Sequence, residues 1–217
     1  MDKELQLLLP LIKEHKTVNI NDTEFHIGTI EGKSIVALKC GIGKVNSAIS
    51  TLTLIENFHV ALVINTGVAG GTGNKARVLD IVLGERIAYH DVWCGPGTKE
   101  GQASECPQFF ECAFNLDDLN KKLNIKKGLI ASGDIFVSRP EDIKRILKLY
   151  PDAIAVDMES AAIAQVCYKK NVPFIVIRVV SDTPGESDNV AQYENFWEDV
   201  PLSTFSVLNK LLDVIKI

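Results

Sequence analysis

The chain has 217 residues, a formal net charge of −5 and a hydrophobic fraction of 46%. This length and composition are typical of one soluble domain with a well-buried core. The acidic balance argues against partners such as nucleic acid or an anionic membrane surface. No apolar run approaches the ~18 residues that a membrane-spanning helix needs, and the acidic start lacks the basic region of a secretion signal. The five cysteines are an odd number without a Cys-x-x-Cys pair, which favours reduced thiols in a cytoplasm.

Strand and helix patterns alternate along the whole chain, which predicts one α/β domain with a mostly parallel sheet. The predicted elements of the first half are a helix over residues 4–15, a hairpin of Glu24–Ile30 with Ser34–Cys40, a helix Val45–Asn57, a strand Ala61–Asn65 that ends in an open turn over Thr66–Gly71, and a strand Asp80–His90. The predicted elements of the second half are a long loop over 92–112, a helix Leu116–Leu123, a strand Gly128–Ser132, a helix Pro140–Tyr150, an irregular segment over 183–190 and a closing helix Tyr193–Ile215.

Two further apolar strands each lead into acidic residues. Ile154-Ala155-Val156 runs into Asp157 and Glu159, and Phe174–Val180 runs into Ser181-Asp182. Ligands of open α/β sheets bind outside the carboxyl ends of strands, so we expect Glu159 and Asp182 on one rim, joined by a crossover helix. Acidic residues at the ends of apolar strands are costly unless they are solvated, paired or functional. The residues alone leave a functional site and simple helix or turn capping equally open.

Two glycine-rich turns follow strands. Gly41-Ile42-Gly43-Lys44 lacks the Walker spacing and the third glycine of a dinucleotide fingerprint, so a plain strand-to-helix turn is favoured there. Asn65–Gly71 contains three glycines, which fits close backbone approach to a ligand as well as it fits a loop. The four histidines have no metal-ligand spacing, and no Gly-x-Ser-x-Gly elbow or Ser-His-Asp order favours acyl chemistry.

Seven short motifs make the chain resemble the nucleoside phosphorylase/nucleosidase superfamily, and within it the 5′-methylthioadenosine/S-adenosylhomocysteine nucleosidases. The motifs are Met1-x-x-Glu4, Gly41-Ile42-Gly43-Lys44-Val45, Asn65-Thr66-Gly67-x-Ala69-Gly70-Gly71, Tyr89-His90-Asp91, Ser132-Gly133-Asp134-x-Phe136, Ala155-Val156-Asp157-Met158-Glu159-Ser160 and Arg178-Val179-Val180-Ser181-Asp182. The resemblance implies one domain over 1–217, with a mixed, mostly parallel sheet between helices in three α/β/α layers. Family members begin with a buried strand before the first motif, and that strand is absent from this sequence.

The resemblance also implies roles for individual residues. Asp182 is expected to be the general acid that protonates N7 of adenine, Ser181 to orient it, Glu159 and Met158 to hold the ribose hydroxyls, and Glu4, near Arg178, to activate the attacking water. Phe136 is expected to stack on adenine, the Val137 backbone to read its edge, and Ile42, Tyr193 and Phe196 to line the 5′-alkylthio slot with a second subunit's long loop. Val68, Ala69 and Gly70 complete the substrate contacts, although Val68 stands where the nucleosidases usually have Ser or Thr.

The implied reaction is hydrolysis of the N-glycosidic bond of methylthioadenosine and S-adenosylhomocysteine, as in methionine salvage. It needs no metal or organic cofactor, and the implied assembly is a homodimer. Aspartate at position 182 fits a 6-aminopurine, because the family pairs asparagine there with 6-oxopurines. Three alternatives stay open. The first is a purine nucleoside phosphorylase, which needs an arginine-lined phosphate site for which Arg77 and Arg86 are not obviously placed. The second is a purine-nucleoside binding protein without turnover, and the third is a nucleosidase for futalosine-type nucleosides.

Overall fold

The computed structural model describes residues 2–73, 75–113, 125–199 and 202–215. The strands in these ranges are β1 Lys13–Ile20, β2 Thr23–Ile30, β3 Lys33–Leu38, β4 Val63–Gly71, β5 Ile81–Tyr89, β6 Phe110–Glu111, β7 Lys126–Ser132, β8 Ala153–Asp157 and β9 Phe174–Asp182. The helices are α1 Asp2–Leu8, α2 Lys44–Phe58, α3 Pro140–Leu149, α4 Ser160–Lys170, α5 Asn189–Asp199 and α6 Leu202–Val214. The predicted helix Leu116–Leu123 lies outside the described residues.

The first helix is shorter than the leucine pattern predicted. α1 ends at Leu8, a 3-10 turn covers Leu9–Leu11, and β1 begins at Lys13, so the prediction of a helix to residue 15 is wrong. Pro10 lies in the first turn of the 3-10 segment, and proline removes a backbone donor that a continuing α-helix needs. The predicted hairpin is confirmed, because β2 and β3 pair antiparallel, and β1 adds to the other edge of β2.

The main sheet has the strand order β6-β5-β7-β8-β4-β9. β9 also pairs with β5, which closes five strands into a ring. The pairs β5–β7, β7–β8 and β4–β9 are parallel, whereas β4–β8, β5–β9 and β5–β6 are antiparallel. α4 packs between the sheet and α2, and α5 packs against β9. The predicted single α/β domain with a mixed sheet between helices is therefore confirmed.

The glycine-rich segment after residue 65 is a strand, and the prediction of an open turn there is wrong. β4 continues to Gly71, and glycines at its end allow neighbouring segments to approach closely. A Cβ atom on Gly70 would lie 2.4 Å from Cγ of Pro184, and one on Gly71 would lie 2.4 Å from the carbonyl oxygen of Ala76. The glycines therefore permit tight packing within the sheet rather than a reversal of the chain.

The carboxyl ends of β8 and β9 meet at the end of β4. Gly70 pairs with Asp182 of β9 on one side and with Val156 of β8 on the other. β4 runs parallel to β9 but antiparallel to β8, so β8 and β9 are not the parallel pair that the sequence pattern predicted. Their acidic ends still converge, because β4 and β8 overlap only at their last residues.

The C-terminal segment forms two helices where the sequence pattern predicted one. α5 begins at Asn189, inside the segment predicted to be irregular, and ends at Asp199, and α6 begins at Leu202. Proline disfavours a helical conformation in the residue before it, and Pro201 therefore accounts for a boundary at this point of the sequence. None of the helices in the described ranges is both long and apolar enough to span a bilayer.

A cleft separates β3 from the first half of β4. It has a volume of about 740 Å³ and a mostly apolar lining from β3, α2, β4 and α6. Among the described strands, β3 pairs only with β2, and the only partner of β4 besides β9 is β8, at Gly70 and Gly71. Each strand therefore has an edge without a strand partner beside this cleft.

Candidate active site

A second cavity, of about 300 Å³, lies where the ends of β4, β8 and β9 meet. The predicted site residues that line it are Glu4, Ile42, Val68, Ala69, Gly70, Phe136, Val137, Met158, Glu159, Arg178, Ser181, Asp182 and Tyr193. The structure does not bring the predicted Phe196 to this cavity, because its ring is buried and packs edge-on against Trp197. Residues from both ends of the chain thus form one site.

The Asp182 carboxyl is enclosed in the cavity wall, with 3% of the residue exposed. The Ser181 hydroxyl donates a hydrogen bond to Oδ1 at 2.6 Å, and the Asn189 amide donates one to Oδ2. Burial raises the pKa of Asp182, and the two hydrogen bonds oppose this rise. The net effect is an acid that keeps its proton to a higher pH than an ordinary aspartate, as a proton donor requires.

Glu159 lies directly before α4 and also lines the cavity. Its Oε1 accepts a hydrogen bond from the Gly43 backbone N–H at 3.0 Å. Burial raises the pKa of Glu159, the negative charge of Asp157 raises it further, and Arg178 opposes both effects. The Gly41–Lys44 turn is therefore more than the plain connection predicted, because it holds a carboxylate of the cavity.

Arg178 is buried between carboxylates beneath the cavity. Its Nε donates to Oδ2 of Asp157 at 3.0 Å, its Nη2 donates to the Ser160 hydroxyl at 3.1 Å, and Nη2 lies 3.8 Å from Oε2 of Glu159. Burial lowers the pKa of Arg178, but Asp157, Glu159 and Glu4 outweigh this effect and raise it. Arg178 is thus a fixed positive charge that pairs Asp157 and holds Glu159 nearby.

Glu4 reaches the cavity from α1. Its Oε1 accepts a hydrogen bond from the Val68 backbone N–H at 3.1 Å. Gly67 permits this approach, because a Cβ atom there would lie 2.6 Å from both Oε1 of Glu4 and Nη1 of Arg178. Gly67 also has φ +155°, which favours glycine. The glycine-rich segment therefore brings Glu4 beside Arg178 as a third carboxylate, in addition to Asp157 and Glu159.

The apolar part of the cavity lies towards the surface. Ile42 and Phe136 are 54% and 43% exposed, and the rings of Phe136 and Tyr193 meet edge-on with centroids 5.3 Å apart. This arrangement gives the cavity a polar inner end and an apolar mouth. Within the ranges that the structure describes, no cluster of three His, Cys, Asp or Glu residues is arranged to hold a metal ion.

Sequence reasoning missed two residues that hold the charged side chains of the site. Asp157 was considered only as a helix cap, yet it also pairs with Arg178. Asn189 was placed in an irregular segment, although asparagine is favoured at helix starts and α5 begins there. A buried arginine in an apolar strand was the one signal that an acidic partner such as Asp157 had to lie beside Arg178.

The chain is similar to known proteins over almost its whole length. The model of the Phosphorylase superfamily matches residues 1–213. The 5′-methylthioadenosine/S-adenosylhomocysteine nucleosidase of Anoxybacillus flavithermus is 36% identical over 98% of this chain and 95% of its own length.

Two solved structures of such nucleosidases are similar throughout. The one from Neisseria meningitidis, in complex with methylthio-immucillin-A, has a TM-score of 0.92 and 33% identity, covering 99% of this chain and 96% of that chain. The one from Colwellia psychrerythraea, in complex with adenine, has a TM-score of 0.91 and 34% identity, covering 98% of this chain and 91% of that chain. The chain therefore belongs to the phosphorylase superfamily and, within it, to the 5′-methylthioadenosine/S-adenosylhomocysteine nucleosidases.

Proposed function

We propose that the protein hydrolyses the N-glycosidic bond of 5′-methylthioadenosine and S-adenosylhomocysteine, and releases adenine and a 5-thioribose product. The observation that carries this proposal is the buried Asp182 carboxyl, whose raised pKa suits a proton donor, in the same cavity as Glu159. The nucleosidases with bound adenine and methylthio-immucillin-A support the same substrate class. The reaction is consistent with a place in methionine salvage.

The first part of the reaction is departure of the base. Adenine leaves poorly as an anion, so Asp182 transfers its proton to N7 while the C–N bond breaks and its electron pair passes to the purine. Positive charge then develops on the sugar, as in glycoside hydrolysis. Ser181 stabilises the carboxylate that Asp182 becomes, because its hydroxyl donates to Oδ1.

The second part is attack by water on the sugar. Glu4 takes a proton from the water while the water oxygen bonds to the anomeric carbon. The positive charge of Arg178 interacts with the Glu4 carboxylate. Glu159, held by the Gly43 N–H, accepts hydrogen bonds from the ribose hydroxyls together with Met158. These hydrogen bonds strengthen as positive charge grows on the ring.

The cavity walls account for substrate recognition. Phe136 stacks on the base and the Val137 backbone reads its edge, while Ile42 and Tyr193 line the slot for the alkylthio group. Val68, Ala69 and Gly70 form the floor beside the reacting atoms.

Release of adenine in phosphate-free buffer tests the proposed reaction. For each of methylthioadenosine and S-adenosylhomocysteine, we expect adenine to be released at the same rate with and without phosphate. Inosine should release little of its base. Arg178 is the one arginine among the described residues that line the cavity, and Arg86 pairs instead with Asp152. Strict dependence on phosphate would contradict hydrolysis and favour the phosphorylase, and calorimetric binding without adenine release would favour a binding protein.

The assembly proposed is a cytoplasmic homodimer. Large apolar residues that follow the cavity residue Ile42 on α2 are exposed, with Val45 67% and Ile49 56% accessible, and Trp93 is 63% accessible. A second copy packed on this face would cover them and close the cavity, with the loop over 92–112 contributing. Sedimentation velocity should give twice the 23.8 kDa chain mass for the wild type and the single chain mass for Val45→Glu. A wild-type monomer with full activity would contradict the dimer.

The domain assignment is also a proposal. We propose that residues 1–217 form one catalytic domain, and that the cleft between β3 and β4 is where the first strand implied by the resemblance would pair. Its apolar lining and the two strand edges beside it support this assignment.

A further inference from the structure

Asn189 contacts the reactive carboxyl without lining the cavity. It is the first residue of α5 and is 2% exposed. Its Nδ2 donates a hydrogen bond to Oδ2 of Asp182, whereas its own Oδ1 is buried and has no hydrogen-bond partner among the described residues. Among the described residues, the bond to Asp182 is therefore the one hydrogen bond of this side-chain amide.

The contact with Asn189 favours the ionised form of Asp182. Oδ1 lies 2.6 Å from the Ser181 hydroxyl oxygen, and Oδ2 accepts a hydrogen bond from the Asn189 amide. The Ser181 hydroxyl can donate to Oδ1, or it can accept from a protonated Oδ1 while it donates to the Ala69 carbonyl oxygen at 3.4 Å. Nδ2 of Asn189 can only donate, so it stabilises negative charge on Oδ2.

We propose that Asn189 is a positioning residue for the general acid, because its amide holds Asp182 at Oδ2 and stabilises the carboxylate that forms when the proton passes to N7 of the base. Nδ2 donates to Oδ2 before and after this transfer, and the hydrogen bond strengthens as negative charge develops on Asp182. The step needs no further reactant, because the only proton that moves is the one that Asp182 gives up. This inference rests on the proposed function, in which Asp182 is the acid.

Few other groups face Asp182. Ser181 on β9 is uncharged, and Ala69 and Gly70 of β4 present their backbone. Tyr193 on α5 is the titratable neighbour, and burial raises its own pKa. The carboxylates Glu4 and Glu159 lie elsewhere on the cavity wall and are shared by all variants described below. A change at Asn189 is therefore expected to act on Asp182 directly.

The variant Asn189→Leu tests the proposal, because leucine has a similar size but neither donates nor accepts. Without the amide donor the Asp182 carboxylate is less stable, so the acid keeps its proton to higher pH. We expect the alkaline limb of the pH profile of kcat/KM to move upward by about one pH unit. We also expect kcat on the plateau to fall about tenfold, because the carboxylate formed in the reaction loses a hydrogen bond.

Two further variants separate this role from a structural one. Asn189→Asp keeps an acceptor but adds a negative charge beside Asp182, so its alkaline limb should move further upward than that of Asn189→Leu. Gln192→Leu is the matched control, because Gln192 lies on the same helix and ties it to the Thr183 N–H at 2.8 Å without contacting Asp182. The Gln192→Leu profile should superimpose on the wild type. Equal shifts in Asn189→Leu and Gln192→Leu, or no shift in either, would overturn the proposal.

A carbon-13 NMR titration of the Asp182 carboxyl in the free protein makes the test independent of turnover. The Asn189→Leu substitution should raise the pKa of Asp182 in this titration by the same amount as it moves the limb. If Asn189→Leu raises the pKa of Asp182 but the wild type releases no adenine, the proposed function is contradicted and the role of Asn189 stands. If the wild type releases adenine but Asn189→Leu leaves the pKa of Asp182 unchanged, the role of Asn189 is contradicted and the proposed function stands.

Discussion

Replacing Asp182 with asparagine is expected to lower adenine release from methylthioadenosine by about 1,000-fold. Asparagine has the same shape but no acidic proton, so the purine would have to leave as an anion. The surrounding fold should persist, because the Ser181 and Asn189 side chains can still hydrogen-bond to an amide. The measurement is steady-state release of adenine, with the thermal unfolding midpoint followed by circular dichroism.

Asp188→Asn is the matched control for this substitution. Asp188 is an exposed acid on the same segment, and its Oδ1 accepts a hydrogen bond from Gln192 at 3.0 Å, outside the cavity. We expect its activity to stay within about twofold of the wild type, as for most surface substitutions away from a site. An Asp182→Asn enzyme as active as this control would refute the assignment of Asp182 as the acid.

Replacing Arg178 with methionine is expected to destabilise the protein by about 3 to 5 kcal/mol. The substitution leaves the Asp157 carboxylate, which is 2% exposed, without its cation, and it removes the charge that favours the ionised form of Glu159. Activity should also fall, because Glu4 and Glu159 lose the charge that fixes them. Urea unfolding measured at equilibrium gives the free energy directly.

The pH dependence of the Arg178→Met deficit has a defined sign. The pKa of Glu159 is already raised by burial, and loss of the guanidinium removes the charge that opposes this rise, so ionisation of Glu159 opposes folding more strongly in the variant. Protonation relieves this cost, and the deficit should be smaller at about pH 5 than at about pH 8.

Arg139→Met is the control for a merely superficial ion pair. Arg139 is exposed and donates to Oδ2 of Asp142 at 2.7 Å, so its loss should cost less than about 1 kcal/mol. An Arg178→Met deficit no larger than this would contradict the buried charge cluster.

The local features of the fold followed from the sequence. Alternating and continuous apolar runs predicted most strands, and the hairpin of β2 and β3 was correct because a Glu-Gly turn sits between alternating segments. The closure of the sheet into a ring could not be predicted from the sequence. β5 and β9 pair across about half the chain, and such pairing leaves no periodic signal in either strand. The true end of α1 depended on Pro10. The prediction gave the leucine spacing more weight than this proline.

The site was predictable in part. The positions of Glu159 and Asp182 after apolar strands indicated a shared rim, although the structure reaches it with β8 and β9 on opposite sides of β4. Glu4 came only from the family resemblance, because nothing in a short helix predicts contact with a strand end some 60 residues later. The contact between Asn189 and Asp182 depends on where α5 begins, and the prediction began that helix four residues late.

A crystal structure with adenine bound tests the central claim most directly. The account predicts N7 of adenine within about 3.2 Å of an Asp182 carboxyl oxygen, with the ring over Phe136. Adenine bound with N7 away from Asp182, or with this carboxyl turned out of the cavity, would contradict the mechanism.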